Sequence, residues 1–147
     1  MIKAEQSVVV HRPLHEVFAF MTNYAETHPR WSPKVEEMRQ TSAGPMGVGS
    51  TYWHARRDAG RRTESILEVA EFEPNQKISI RSRRGAGGFS AIYTFAIAEG
   101  GTRVNFVREL TTSGFMRLLE PIIASQVRRD LAADTERFKH LLENPSN

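Results

Sequence analysis

The chain has 147 residues, 39% of them apolar and 25% charged, which fits one soluble globular domain over residues 1–147 and leaves no reason to expect a second. Twenty basic residues against 17 acidic ones leave a net charge of only +3, too little by itself to imply a polyanion partner. The absence of cysteine excludes disulfides, thiolate catalysis and cysteine-ligated metals; no apolar run nears the roughly 18 residues of a bilayer span and Met1–Gln6 lacks the pattern of a signal peptide, so a cytoplasmic protein that is not an integral membrane protein is expected.

Residues 2–11 read as a strand, on the strength of Val8-Val9-Val10 and the break at Pro13. Pro13 suits a first helical position, and Leu14, Val17, Phe18 and Met21 follow at helical spacing, so a short amphipathic helix is predicted. The stretch from Asn23 to Pro33 holds Tyr24, His28, Pro29, Trp31 and Pro33 and is too broken for a long helix; it reads as a short helical turn running into a loop.

From Val35 the pattern changes to strand candidates separated by turn signals at Ala43-Gly44-Pro45, Asp58-Ala59-Gly60, Glu73-Pro74-Asn75, Gly85–Gly88 and Glu99-Gly100-Gly101. Strands are predicted at 35–42, 49–57, 62–72, 77–84, 89–98 and 102–111, and their short connections make an antiparallel meander. Alternation assigns inner faces: Ala91, Tyr93, Phe95 and Ile97 share one parity with Phe89, and Val104, Phe106, Arg108 and Leu110 share another.

The last third is predicted to be helical, with Ser113 as a candidate cap and Asn144-Pro145 as the stop. Its apolar residues form two stripes rotated by about a quarter turn at ~100° per residue: Phe115, Leu118, Leu119 and Ile122, then Val127, Leu131, Phe138, Leu141 and Leu142. Pro121 lies at the changeover, so a short segment over 115–120 precedes the long helix. One long helix with an apolar face and one seven-stranded, one-faced sheet imply an α+β fold in which the sheet bends round the helix.

Several stretches resemble the START-like, Bet v 1-type helix-grip superfamily (SRPBCC), and within it the polyketide cyclase/dehydrase-like group. They are Arg12-Pro13-Leu14-His15-Glu16-Val17-Phe18, Trp31-Ser32-Pro33 with Val35, Pro45-Met46-Gly47-Val48-Gly49, Glu68–Pro74, Gly101-Thr102-Arg103-Val104 and the ending Phe138–Glu143. The resemblance implies a sheet gripping the terminal helix, two short helices after the first strand and a hydrophobic cavity between sheet and helix. It also implies a lipid, polyketide, quinone or aromatic ligand, with polyketide cyclisation or dehydration as the alternative activity. Fold alone does not choose between them.

Arg108 is the leading interior polar candidate: it holds an enolate, phenolate or carboxylate, or a bulge or the strand's end turns it to solvent, or an internal acid satisfies it. Tyr52 and His54 share one face of their strand and Trp53 takes the other. An inward Tyr52 and His54 would supply a proton donor and a base, but the larger indole gains more from burial, so Trp53 is expected inside. Trp31, Trp53, Tyr93, Phe95, Phe106, Arg108, Phe115 and Leu119 are the expected ligand contacts, with the segment before Pro121 closing the mouth of the cavity.

No metal or cofactor is expected. His11 and His15 are split by Pro13, Gly85-Ala86-Gly87-Gly88 has no following Lys-Ser/Thr, and no Gly-x-Ser-x-Gly elbow occurs. The arginine groups Arg56-Arg57, Arg61-Arg62 and Arg81, Arg83, Arg84 could form a basic edge for an anionic ligand, a membrane surface or RNA. Aromatic residues are not interleaved among them, so they read as solvated hairpin tips, and nucleic acid is disfavoured. The sequence leaves pairing into a homodimer open.

Overall fold

Alternation in the strand regions and turn chemistry between them produce the expected meander. The computed structural model describes residues 1–84 and 88–145. Strand β1 (Ile2–Val10) leads into helices α1 (Leu14–Thr22) and α2 (Tyr24–Trp31). Six strands follow: β2 (Val35–Gln40), β3 (Thr51–Asp58), β4 (Arg61–Glu73), β5 (Lys77–Arg84), β6 (Gly88–Ala98) and β7 (Gly101–Thr111). A 3₁₀ segment (Gly114–Leu119) and α3 (Glu120–Glu143) complete the order. All pairings are antiparallel, in the order β1-β7-β6-β5-β4-β3-β2.

Local geometry explains how the sheet closes on the helix. Ala59 and Gly60 both have positive φ, the signature of a tight two-residue hairpin turn that matches the strand twist. In β4 the register shifts at Ile66/Leu67 and again at Val69/Glu71, and such bulges bend a strand. Where β7 begins, a methyl on Gly101 would lie 2.0 Å from the Val10 carbonyl oxygen, so only glycine allows β1 and β7 to meet there. The turn expected at Gly85–Gly88 falls mostly on residues 85–87, outside the described residues.

The two stripes of the terminal region have different fates. Leu131, Phe138 and Leu142 are buried against the sheet and the first two helices, with Val127 and Leu141 packed beside them. Phe115 and Leu118, by contrast, are 72% and 77% exposed, and Ile122 is exposed as well. A quarter-turn offset allows only one stripe to face the concave sheet. Ser113 precedes the 3₁₀ segment but makes no side-chain capping bond; the segment is tied down instead through Glu120, which accepts from Thr112 and from the Met1 amino group. Pro121 sits in the first turn of α3, where its missing N–H costs nothing, and so it starts the helix rather than kinking it.

The stretch after Asn23 is more regular than expected. Tyr24, Thr27, His28 and Trp31 recur at helical spacing and are the buried residues of α2. Pro29 falls in the last turn, where it forfeits one backbone bond without ending the helix early.

The arginine-rich hairpins are charge-compensated. Arg56 donates to Asp58 at 2.8 Å, Arg57 to Glu36 at 2.8 Å, and Arg62 reaches Glu36, Glu37 and Glu64. Arg81 and Arg83 both lean on Glu68, at 3.4 and 4.0 Å. These exposed pairs add little stability each, but they offset part of the positive charge along that edge. Among the described residues, no helix is long and apolar enough to cross a membrane.

Candidate functional site

Register decides what β3 contributes. Tyr52 pairs with Gln40 and Leu67, and His54 with Met38 and Ser65, on the concave face; the two are only 1% and 4% exposed. Trp53 therefore points outward, contrary to the expectation from its size. Its indole N–H donates to Glu64 at 3.0 Å, and the Arg39 guanidinium lies 4.4 Å above its ring. The physical reason is additive: inward Tyr52 and His54 together outweigh one indole, and the outer face still covers Trp53 with an arginine stem.

Helix α2 lays its buried face over these residues. The Tyr24 ring stacks on His28 at 4.4 Å and meets Tyr52 edge-on at 5.7 Å, and its hydroxyl lies 2.8 Å from that of Tyr93. His28 contacts Trp31 at 4.7 Å, and Trp31 packs edge-on against Tyr93, Phe106 and Phe138. Polar groups are thus set within an aromatic interior. Four of their buried atoms have no hydrogen-bond partner: His28 Nδ1, Trp31 Nε1, Tyr52 Oη and His54 Nδ1. Buried polar atoms are nearly always paired, so four orphans in one neighbourhood call for an explanation.

The interior charge is accounted for differently. Arg108 lies on the concave face between Ala4 and Ala91, two small residues that make room for its guanidinium. It donates to Asp134 of α3 at 2.7 Å, and the Ser32 hydroxyl donates to the same carboxylate oxygen at 2.7 Å. Arg137 reaches the second oxygen at 3.0 Å. Arg108 is thus paired with an internal acid and is not turned to solvent.

Protonation follows from burial. Desolvation holds His28 well below the usual imidazole range, helped by the charges of Arg108, His54 and Arg56. Burial, with Arg56 behind it, brings His54 down to about 4. Burial pushes Tyr52 and Tyr93 up to about 12 and raises Tyr24 as well. At neutral pH both imidazoles are neutral and all three phenols keep their protons, so these five side chains carry no net charge.

A groove of about 490 Å³ runs between α1 and the concave face, with Phe18, Met46 and Phe72 as apolar walls. Asn23 and Gln40 also line it; the first precedes Tyr24 in the chain and the second pairs with Tyr52 in the β2–β3 ladder. Phe95 abuts the same wall, 5.0 Å from Phe18. The interior facing α3 is filled by Phe106, Phe138 and Trp31 in edge-to-face contact. A second depression, about 480 Å³, is lined by Arg30, Glu136, Arg137, His140 and Leu141 and has a charged rim.

Of the expected contacts, Trp31, Tyr93, Phe95, Phe106 and Arg108 are interior, while Trp53 is on the outer face and Phe115 and Leu119 are exposed. The candidate catalytic residues Tyr52 and His54 are brought together with His28. Tyr24, His28, Ser32 and Asp134 are the members missing from the expected set; the i, i+4, i+7 spacing of Tyr24, His28 and Trp31 was the available signal. Among the described residues no three His, Asp or Glu side chains converge as a metal set.

These features can be compared with known proteins. The family model for polyketide cyclase / dehydrase and lipid transport matches residues 1–143. No curated protein matches the chain. TTHA0849 from Thermus thermophilus superposes with a TM-score of 0.82 at 15% identity, covering 99% of both chains. The Zhui aromatase/cyclase from a Streptomyces species gives 0.79 at 14% identity, covering 99% of this chain and 95% of that one. A START superfamily protein from Mycobacterium smegmatis gives 0.75 at 13%, covering 96% and 97%. At such identities the likeness shows the fold, whereas the family match spans nearly the whole sequence. The chain belongs to the polyketide cyclase/dehydrase and lipid transport family, and its fold is that of the solved structures named above.

Proposed function

We propose that the protein binds a hydrophobic small molecule, of the lipid, polyketide, quinone or aromatic class. The apolar body lies in the groove between α1 and the sheet, and the polar end reaches the Tyr52–His54–His28–Trp31 cluster. The observation that carries this reading is a set of four unpartnered buried polar atoms in the interior, supported by a separate groove in which Asn23 adjoins Tyr24 in the chain and Gln40 pairs with Tyr52 in the β2–β3 ladder. Ligand sites of this kind are mostly apolar, with a few polar groups that fix orientation. Native mass spectrometry of gently purified protein is expected to show a retained apolar compound, or uptake of an added lipophile at one equivalent. A uniformly empty protein that takes up none contradicts the proposal.

A cyclase or dehydratase is the second reading, favoured by the shared inward face of Tyr52 and His54 and by the similarity to an aromatase/cyclase. The protonation states weigh against it. A general base works best with a pKa near the working pH, and burial has brought His54 down to about 4. Binding is therefore the stronger conclusion, and catalysis would be signalled by turnover of an enolisable polyketone that His54→Ala abolishes while binding persists.

A further inference from the structure

We infer that the polar end of this site takes a neutral hydroxyl head group, a phenol or alcohol, and discriminates against a carboxylate on the same apolar body. The inference rests on the ligand-binding reading above and specifies its chemistry.

The first support is the donor and acceptor inventory. The Trp31 Nε1–H can only donate, the Tyr52 hydroxyl can donate or accept, and each neutral imidazole presents an Nδ1 that does one or the other according to tautomer. A head with one acceptor oxygen and one hydroxyl proton can satisfy several of these groups at once. An anionic oxygen can accept from Trp31 and Tyr52 but gives nothing back to an accepting Nδ1.

The second support is electrostatic. Arg108, the buried cation whose charge reaches His28, Tyr24 and Tyr93, already faces Asp134 at 2.7 Å, and Ser32 steadies that carboxylate. Arg56, the other cation felt by the two histidines, is held by Asp58 at 2.8 Å. A ligand carboxylate would have to displace Asp134 or remain unpaired in an interior that gives charge no water. The Asp134 carboxylate would also repel it. A neutral head meets neither obstacle.

The test uses two probes with the same ring system, 2-naphthol and 2-naphthoate, titrated calorimetrically into the intact protein near neutral pH. The expected result is that 2-naphthol binds about tenfold or more tightly, the effect of roughly 1.4 kcal/mol. Tyr52→Phe, which deletes one hydroxyl and keeps the ring, is expected to weaken 2-naphthol by about tenfold while the melting temperature holds or rises, since an unpartnered buried hydroxyl is removed. A hydroxyl with a purely structural role would give the opposite pair of outcomes, a lower melting temperature with unchanged affinity, and that would overturn the inference. Equal or tighter binding of 2-naphthoate overturns the neutral-head specificity and leaves ligand binding standing. Failure of both probes to bind overturns the two together.

Discussion

Asp134→Ala is expected to lower folding stability by about 3–5 kcal/mol, the range for breaking a buried ion pair from one side. The wild-type carboxylate serves three partners at once: Arg108 at 2.7 Å, Ser32 at 2.7 Å and Arg137 at 3.0 Å. Arg137 is half exposed and can turn to water, so its loss matters little. Arg108 cannot, because it is only 6% exposed and sits between β1 and β6. Most of the cost is the uncompensated guanidinium rather than the lost bond. The double variant Arg108→Met with Asp134→Leu is accordingly expected to recover much of the loss, since it removes both charges and keeps the volume. Equilibrium denaturation in urea checks both. A loss below about 1 kcal/mol in the single variant would mean that Arg108 finds another partner or water.

Phe138→Ala should be comparably severe, about 3–5 kcal/mol, the range for truncating a buried aromatic. Phe138 is fully buried and is the point where α3 meets the rest of the interior. Its ring lies 5.1 Å from Phe106 of β7, 5.4 Å from Trp31 of α2 and 5.5 Å from Phe20 of α1, always near edge-on. Removing it leaves three aromatic edges facing a void that rigid neighbours cannot fill. Leu141→Ala, on the partly exposed flank of the same helix, serves as the control and is expected to cost much less. Equal costs at both positions would indicate that α3 is not gripped through Phe138.

The fold was legible because two periodicities and a set of turn residues agreed. The predicted strands at 77–84 and 102–111 lie within one residue of β5 and β7, and the offset between the two apolar stripes anticipated the break before α3. Segments whose two faces differed sharply in polarity, such as Val104–Arg108 in β7, gave up their orientation to a period-2 reading. Strand β3 did not, because Tyr52 and His54 on one side and Trp53 on the other are all candidates for burial, and local sequence does not fix the register against Leu67 and Ser65.

The site was less legible than the fold for a related reason. Arg108 was recognisable as an interior charge, but Asp134 stands 26 residues away on another element, one of several acids along a helix rich in charge. The Tyr24–His28–Trp31 face was obscured by Pro29 and Pro33, which read as breakers although only the last turn bears the cost. The convergence of α2 on β3 and β6 depends on how the helix crosses the sheet, which has no local signature. Exposure of Phe115 and Leu119 has the same origin: their spacing marks a helical stripe without saying which stripe the sheet covers.

The two tryptophans make a direct test of the site available. In a two-dimensional ¹H–¹⁵N spectrum the chain gives two indole N–H signals: Trp31, buried with an unpartnered Nε1, and Trp53, on the outer face and bonded to Glu64. Titration with 2-naphthol should shift the Trp31 indole signal progressively and saturably, as its free N–H gains an acceptor, while the Trp53 signal stays in place. A Trp31 signal that does not move at saturating 2-naphthol, or a shift confined to Trp53, would contradict a ligand site at the α2–β3 cluster.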